Sequence, residues 1–201
     1  SRFCFILAFA AIVEGLMPLH ARADVYNGEE VIVLVGAGTK PLDAHERIRM
    51  SLLTAAFWVP RANVFKAFGY AGPTFKPTRL ISLFPSVGFA TNRTSGNGTA
   101  FLVSLAATFK PVDGKIVLYM QSNGYFAPAH AEYYGFYKLQ FLPPQTAPLS
   151  FGAQCEQSNV SFWVGPNVAF DFGPVSLGVQ WYVSVTYTVG HTIRFPLSIS
   201  F

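Results

Sequence analysis

From Val175 to Phe201 the chain alternates apolar and polar residues with a period of two, and this pattern limits the fold more than any other feature. Val175, Leu177, Val179, Trp181, Val183, Val185 and Tyr187 take every second position, with Ser176, Gly178, Gln180, Tyr182, Ser184 and Thr186 between them. After Gly190 the pattern resumes. Ile193, Phe195, Leu197, Ile199 and Phe201 stand against Thr192, Arg194, Pro196, Ser198 and Ser200. Successive side chains of a strand point to opposite faces, so each segment predicts a strand with one apolar and one polar face.

The same rhythm reaches back to Thr78. Ile81, Leu83, Val87 and Phe89 alternate with Ser82, Ser86, Gly88 and Ala90, and a polar loop follows over 92–98. Phe101, Val103, Leu105, Ala107 and Phe109 form the next apolar face. Val112-Asp113-Gly114-Lys115 carries the Asp-Gly signal of a tight hairpin turn. Further strands are predicted over about 115–126, 131–142, 148–157 and 160–173. Pro143-Pro144-Gln145-Thr146 has no place in a sheet interior and reads as a connection. Eight strands therefore follow Thr78, joined by short links.

Upstream, 30–38 reads as a strand ending in glycines. Gly36-x-Gly38 does not announce a dinucleotide site, because Pro41 stands where the third glycine belongs and no βαβ alternation follows. Residues 47–59 fit a strand, with Ile48, Met50, Leu52, Ala56 and Trp58 on one face. They also fit a helix started by Pro41 and Asp43. Pro60 and the extended character of Val64-Phe65 favour the strand. Two strands before Thr78 give ten in all; eight, with the upstream segment outside the sheet, is the alternative.

Charged residues make up only 12% of the chain, about half the roughly 25% usual in globular proteins. Apolar residues reach 51% and aromatics 16%, so part of the surface is expected not to face water. The net charge of +4 comes without any Lys/Arg-dense run interleaved with aromatics, which leaves nucleic-acid binding unsupported.

Strands of this kind in series, the last ending on an aromatic residue, resemble a bacterial outer-membrane β-barrel protein, as a structural class rather than a particular family. The resemblance implies an all-β, closed antiparallel transmembrane β-barrel over 24–201. Residues 1–23 fit a signal peptide: Arg2 precedes an apolar run over 3–13, and Ala21-Arg22-Ala23 offers a cleavage site. Export through the secretory pathway, the cell outer membrane as location, and outer-membrane lipid, the β-barrel assembly machinery and periplasmic chaperones as partners are implied with it. So is an assembly signal in the last strand, at Phe195, Leu197, Ile199 and Phe201. With the C-terminus periplasmic, the 112–115, 143–146 and 173–174 links lie on the periplasmic side, and the 92–98 and 127–130 loops lie outside.

In a membrane barrel the apolar face turns outward, which sends Arg47, Arg49, Lys110, Glu132, Lys138, Glu156, Asp171 and Arg194 to the lumen, along with Gln140, Gln154 and Gln180. Mixed signs in a narrow lumen favour ion pairs that fill it. The expected function is non-enzymatic: a small pore or solute carrier, or a structural surface protein. The alternatives are an outer-membrane enzyme acting on lipid or peptide at the rim, and a soluble secreted barrel with a ligand inside.

Chemistry-bearing motifs are sparse. His45, His130 and His191, near Asp43, Glu46 and Glu132, are the candidates for an acid/base cluster at the outer rim. No two of them have metal-motif spacing, and no G-x-S-x-G elbow exists. Ser122 has no neighbouring histidine in sequence to activate it. No cofactor or metal is called for. Cys155 alternates with Ala153, Phe151 and Leu149 and is expected on the apolar face. The Asn-x-Ser/Thr patterns at Asn92, Asn97 and Asn159 read as turn formers.

Overall fold

The computed structural model describes residues 28–60, 63–92, 99–112, 115–127, 130–143, 148–158, 161–186 and 190–201. Residues 1–23, which the sequence reads as a signal peptide, lie outside them. Eleven strands follow one another: β1 Gly28–Gly38, β2 Ile48–Val59, β3 Val64–Thr78, β4 Ile81–Asn92, β5 Thr99–Val112, β6 Ile116–Ala127, β7 His130–Phe141, β8 Leu149–Ser158, β9 Ser161–Phe172, β10 Val175–Ser184 and β11 His191–Ser200. Each pairs antiparallel with its neighbours in sequence. The sheet closes by a parallel pairing of β1 with β11, Glu30 opposite Arg194 and Leu34 opposite Ser198.

Neither ten nor eight strands is correct. The eight strands after Thr78 stand as expected, and three precede them. The segment at Val64, whose extended character only helped to decide the strand before it, is itself a 15-residue strand, β3. Residues 48–59 are strand and not helix. An odd count forces the first and last strands to run in the same direction. The closing ladder is therefore parallel, and β1 begins at the rim where β11 begins. The other rim carries Phe201 and the β1–β2, β3–β4, β5–β6, β7–β8 and β9–β10 connections.

The two faces segregate as the alternation requires. Inward positions include Gln180, Tyr182 and Arg194, 8%, 2% and 8% exposed. Val179, Trp181 and Phe195, their outward neighbours, are 47%, 47% and 43% exposed. Away from the strand ends, no Asp, Glu, Lys or Arg occupies an outward position among the described strand residues. The interior is where the polar groups meet: Ser104, Asn123, Ser150, Gln154, Glu156 and Asn167 are all buried.

Local chemistry explains how so many strands curl into a tube. Glycines face inward where neighbouring backbones crowd together. A Cβ on Gly165 would overlap the carbonyl oxygen of Trp181, and one on Gly88 that of Gly69. Only a residue with no side chain permits that approach.

Candidate functional site: an ion cluster across the lumen

Arg194 enters the lumen from β11 and meets acidic groups on two other strands. Its Nε donates to Glu30 Oε2 at 2.8 Å, across the closing seam. Its two terminal nitrogens take the carboxylate of Glu156 in a bidentate grip, Nη1 on Oε1 and Nη2 on Oε2, the latter at 3.2 Å. Tyr182 on β10 donates its hydroxyl to Glu156 Oε1 at 2.7 Å and accepts from Arg194 Nη1 at 3.2 Å. The guanidinium carbon lies 4.8 Å from the Tyr182 ring centroid and 5.9 Å from that of Phe57 on β2, so the cation is flanked by aromatic rings.

The span of this cluster matters. Glu30 is the register partner of Arg194, but Glu156 lies three strands along the wall, about 14 Å at about 4.8 Å per strand. Arg194 therefore crosses the lumen as a chord. A second chord runs from Tyr70 on β3 to Gln121 on β6, whose side-chain nitrogen donates to the Tyr70 hydroxyl and also to Asn123 Oδ1 at 3.1 Å. Stacking of Tyr70 on Phe68, with centroids 5.5 Å apart, fixes that ring. Eight strands leave an interior that side chains just fill, and eleven need such long residues reaching inward to fill it.

Two residues further from the rim where β1 begins, the chemistry changes. Below Glu156 on β8 stands Gln154, and below Tyr182 on β10 stands Gln180, register partner of Asn167 on β9. Gln154 and Asn167 are 4% and 3% exposed, and among the described residues neither amide has a hydrogen-bond partner at its oxygen or its nitrogen. Gln180 Oε1 lies 3.4 Å from the Tyr182 hydroxyl, whose proton goes to Glu156, so the two layers adjoin.

Comparison with models of protein families, curated proteins and solved structures finds no match.

Of the lumen residues expected from sequence, Arg194 and Glu156 are in direct contact, and Arg49 and Lys138 face inward on β2 and β7. Glu132 holds an inward register position near the rim where β11 begins. Asp171 and Lys110 lie near the opposite ends of β9 and β5 and are exposed. Arg47 precedes β2 and is exposed at that same rim, so these three line a mouth and not the lumen proper. The Glu30 contact is not legible in the local sequence, because its partner is 164 residues away. Its inward position on β1 was the available signal.

The three histidines are not brought together. His45 lies in the β1–β2 loop at the Phe201 rim, whereas His130 and His191 open β7 and β11 at the other. His191 stacks on Trp181, with centroids 5.8 Å apart. Among the described residues no group of three His, Cys, Asp or Glu could hold a metal ion. Ser122 faces outward beside the Tyr133 hydroxyl, 3.5 Å away, and a 3.2 Å contact joins Tyr133 to Tyr137. Cys155 is half-buried on the outer face, as its alternation with apolar residues predicts. Phe195, Leu197 and Ile199 point outward on β11. Phe201 follows the strand, its side chain exposed and its backbone N–H bonded to Gly36 O at 2.9 Å.

Proposed function

We propose that the chain is an integral membrane β-barrel of the cell envelope, of the outer-membrane type, serving as a non-enzymatic conduit for small solutes. The observation that carries this reading is the inversion of the two faces. A soluble barrel hides its apolar side chains inside and shows polar ones to water. This barrel turns Val87, Phe89, Val179, Trp181 and Phe195 outward and keeps arginine, glutamate and carboxamides within. Hydrocarbon is the solvent that this outer face matches, and a closed barrel pairs its backbone polar groups without a free edge.

The odd strand count departs from the even numbers of bacterial single-chain barrels, but the case for a membrane rests on the face and not on the parity. A purely structural role is the less favoured version, because the interior concentrates unpaired hydrogen-bonding groups below the Arg194 cluster. Outer-membrane lipid would then be the chain's solvent, and the assembly machinery and periplasmic chaperones its partners on the way there. Fractionation of the expressed protein tests the membrane reading. The expected result is recovery in detergent-extracted outer membrane with heat-modifiable migration on gels. Recovery in the soluble fraction without detergent would defeat it.

A further inference from the structure

We infer that the Arg194–Glu156 arm is a gate over a packed carboxamide layer that takes up small uncharged hydrogen-bonding solutes once the arm is released, while Glu30 on the same arginine only staples the seam. The inference rests on the membrane-conduit reading above. Its basis is the division of labour at one guanidinium. The Glu30 contact joins two strands that are already register partners and obstructs nothing. The Glu156 contact joins β11 to β8 across the lumen, and with Tyr182 and Phe57 against the guanidinium it bars the path.

Immediately beneath lie Gln154 and Asn167, more than nine-tenths buried, with all four side-chain polar atoms unpaired among the described residues. Buried polar groups in proteins are almost always satisfied, so a layer of this kind favours any rearrangement that brings it a partner. Release of Glu156 opens that layer to the rim. Carboxamides each offer one donor group and one acceptor and carry no charge, which suits hydroxyl- or amide-bearing neutral solutes. Gln180 extends the same carboxamide chemistry along β10.

The test uses full-length protein reconstituted in phosphatidylcholine vesicles, with insertion checked first by flotation. Swelling is then followed in iso-osmotic L-arabinose and in iso-osmotic sodium glutamate. Glu156→Gln keeps the side chain's shape and leaves Arg194 on Glu30; it is expected to swell about tenfold faster than wild type in arabinose, as a shift toward the open population. Glu30→Gln leaves the cross-lumen arm in place and is expected to swell like wild type while unfolding at a lower temperature. Inserted Glu156→Gln no more permeable than wild type would overturn the gate. Equal opening by Glu30→Gln would overturn the division of labour, and equal gains in arabinose and glutamate would overturn the neutral-solute assignment. If wild type and both variants fail to float with vesicles, the membrane reading itself is wrong and the gate falls with it.

Discussion

Val179 and Val183 share the outward face of β10 but not its depth. Val179 lies mid-strand, and Val183 is one residue from the end of β10. In a bilayer an arginine at the first position costs about 2–4 kcal/mol and at the second only about 0–1 kcal/mol. Urea unfolding in vesicles should therefore rank Val179→Arg well below Val183→Arg, and equal midpoints would deny that the outer face meets hydrocarbon. Glycines divide in a similar way. A methyl at Gly36 would meet Leu53 Cδ1 at 3.8 Å, ordinary contact, whereas at Gly165 it would strike the Trp181 backbone. Gly165→Ala is expected to destabilise by about 1–3 kcal/mol through overpacking and Gly36→Ala by much less, as read from thermal unfolding of the two variants.

Strands in this barrel are interrupted where their sequences say they should be. Pairing of β3 with β4 lapses between Ala71↔Val87 and Phe75↔Leu83, the stretch that holds Pro73 and Pro85. Pairing of β10 with β11 lapses between Leu177↔Leu197 and Gln180↔Arg194, around Pro196, and β9 loses its ladder with β10 beside Pro166. Proline has no N–H to give, so each gap is a local loss of ladder that lets the wall bend. The β1–β2 loop has its own support. Asp43 Oδ1 accepts from the backbone N–H of Arg47 at 2.7 Å and of Ile48 at 2.8 Å. Desolvation is the largest single influence and raises the Asp43 pKa, but the backbone bonds from Ile48, Arg47, His45 and Asp43 itself together outweigh it and hold the carboxyl below its ordinary 3.8. A depressed folded pKa means that the stabilisation is present above 3.8 and is lost as pH falls through the lowered value. The protection factors of the Arg47 and Ile48 amides, the intrinsic exchange rate divided by the observed one at each pH, should therefore be high at neutral pH and fall at strongly acid pH. Asp43→Ala should remove the protection at every pH, and a pH-independent protection factor in wild type would contradict the assignment.

At the scale of the whole molecule, eleven strands and a parallel seam put the two ends of the sheet on opposite rims. Cysteines introduced at Glu29 and at Phe201, with Cys155 changed to serine, should react with a membrane-impermeant maleimide from opposite sides of oriented vesicles. Labelling from one side would require an even-stranded closure. The seam also makes Arg194 a global residue. Its loss would leave Glu30 and Glu156 buried without their cation, and breaking a buried pair in this way costs about 3–5 kcal/mol. Arg194→Ala is expected to lower the unfolding free energy by that amount and the urea midpoint with it, measured by Trp fluorescence; an unchanged midpoint would mean that the cluster does not hold the barrel closed.

Strand identity and facing belong to local sequence. Period-two alternation is a property of neighbouring residues, so Val175–Ser184 and His191–Ser200 were readable as two-faced strands before any partner was known. So was the inward direction of Arg194 and Glu156. The number of strands was not readable, because Val64–Thr78 mixes Gly69, Gly72, Pro73 and Pro77 into its pattern and becomes a strand only by pairing on both sides. Nor was the cluster itself, since Glu30, Glu156 and Arg194 come from three strands that only closure brings to one level. Alternation tells each residue which side of the wall it takes. The shared register of all eleven strands decides which residues meet across the lumen, and no local pattern encodes that sum.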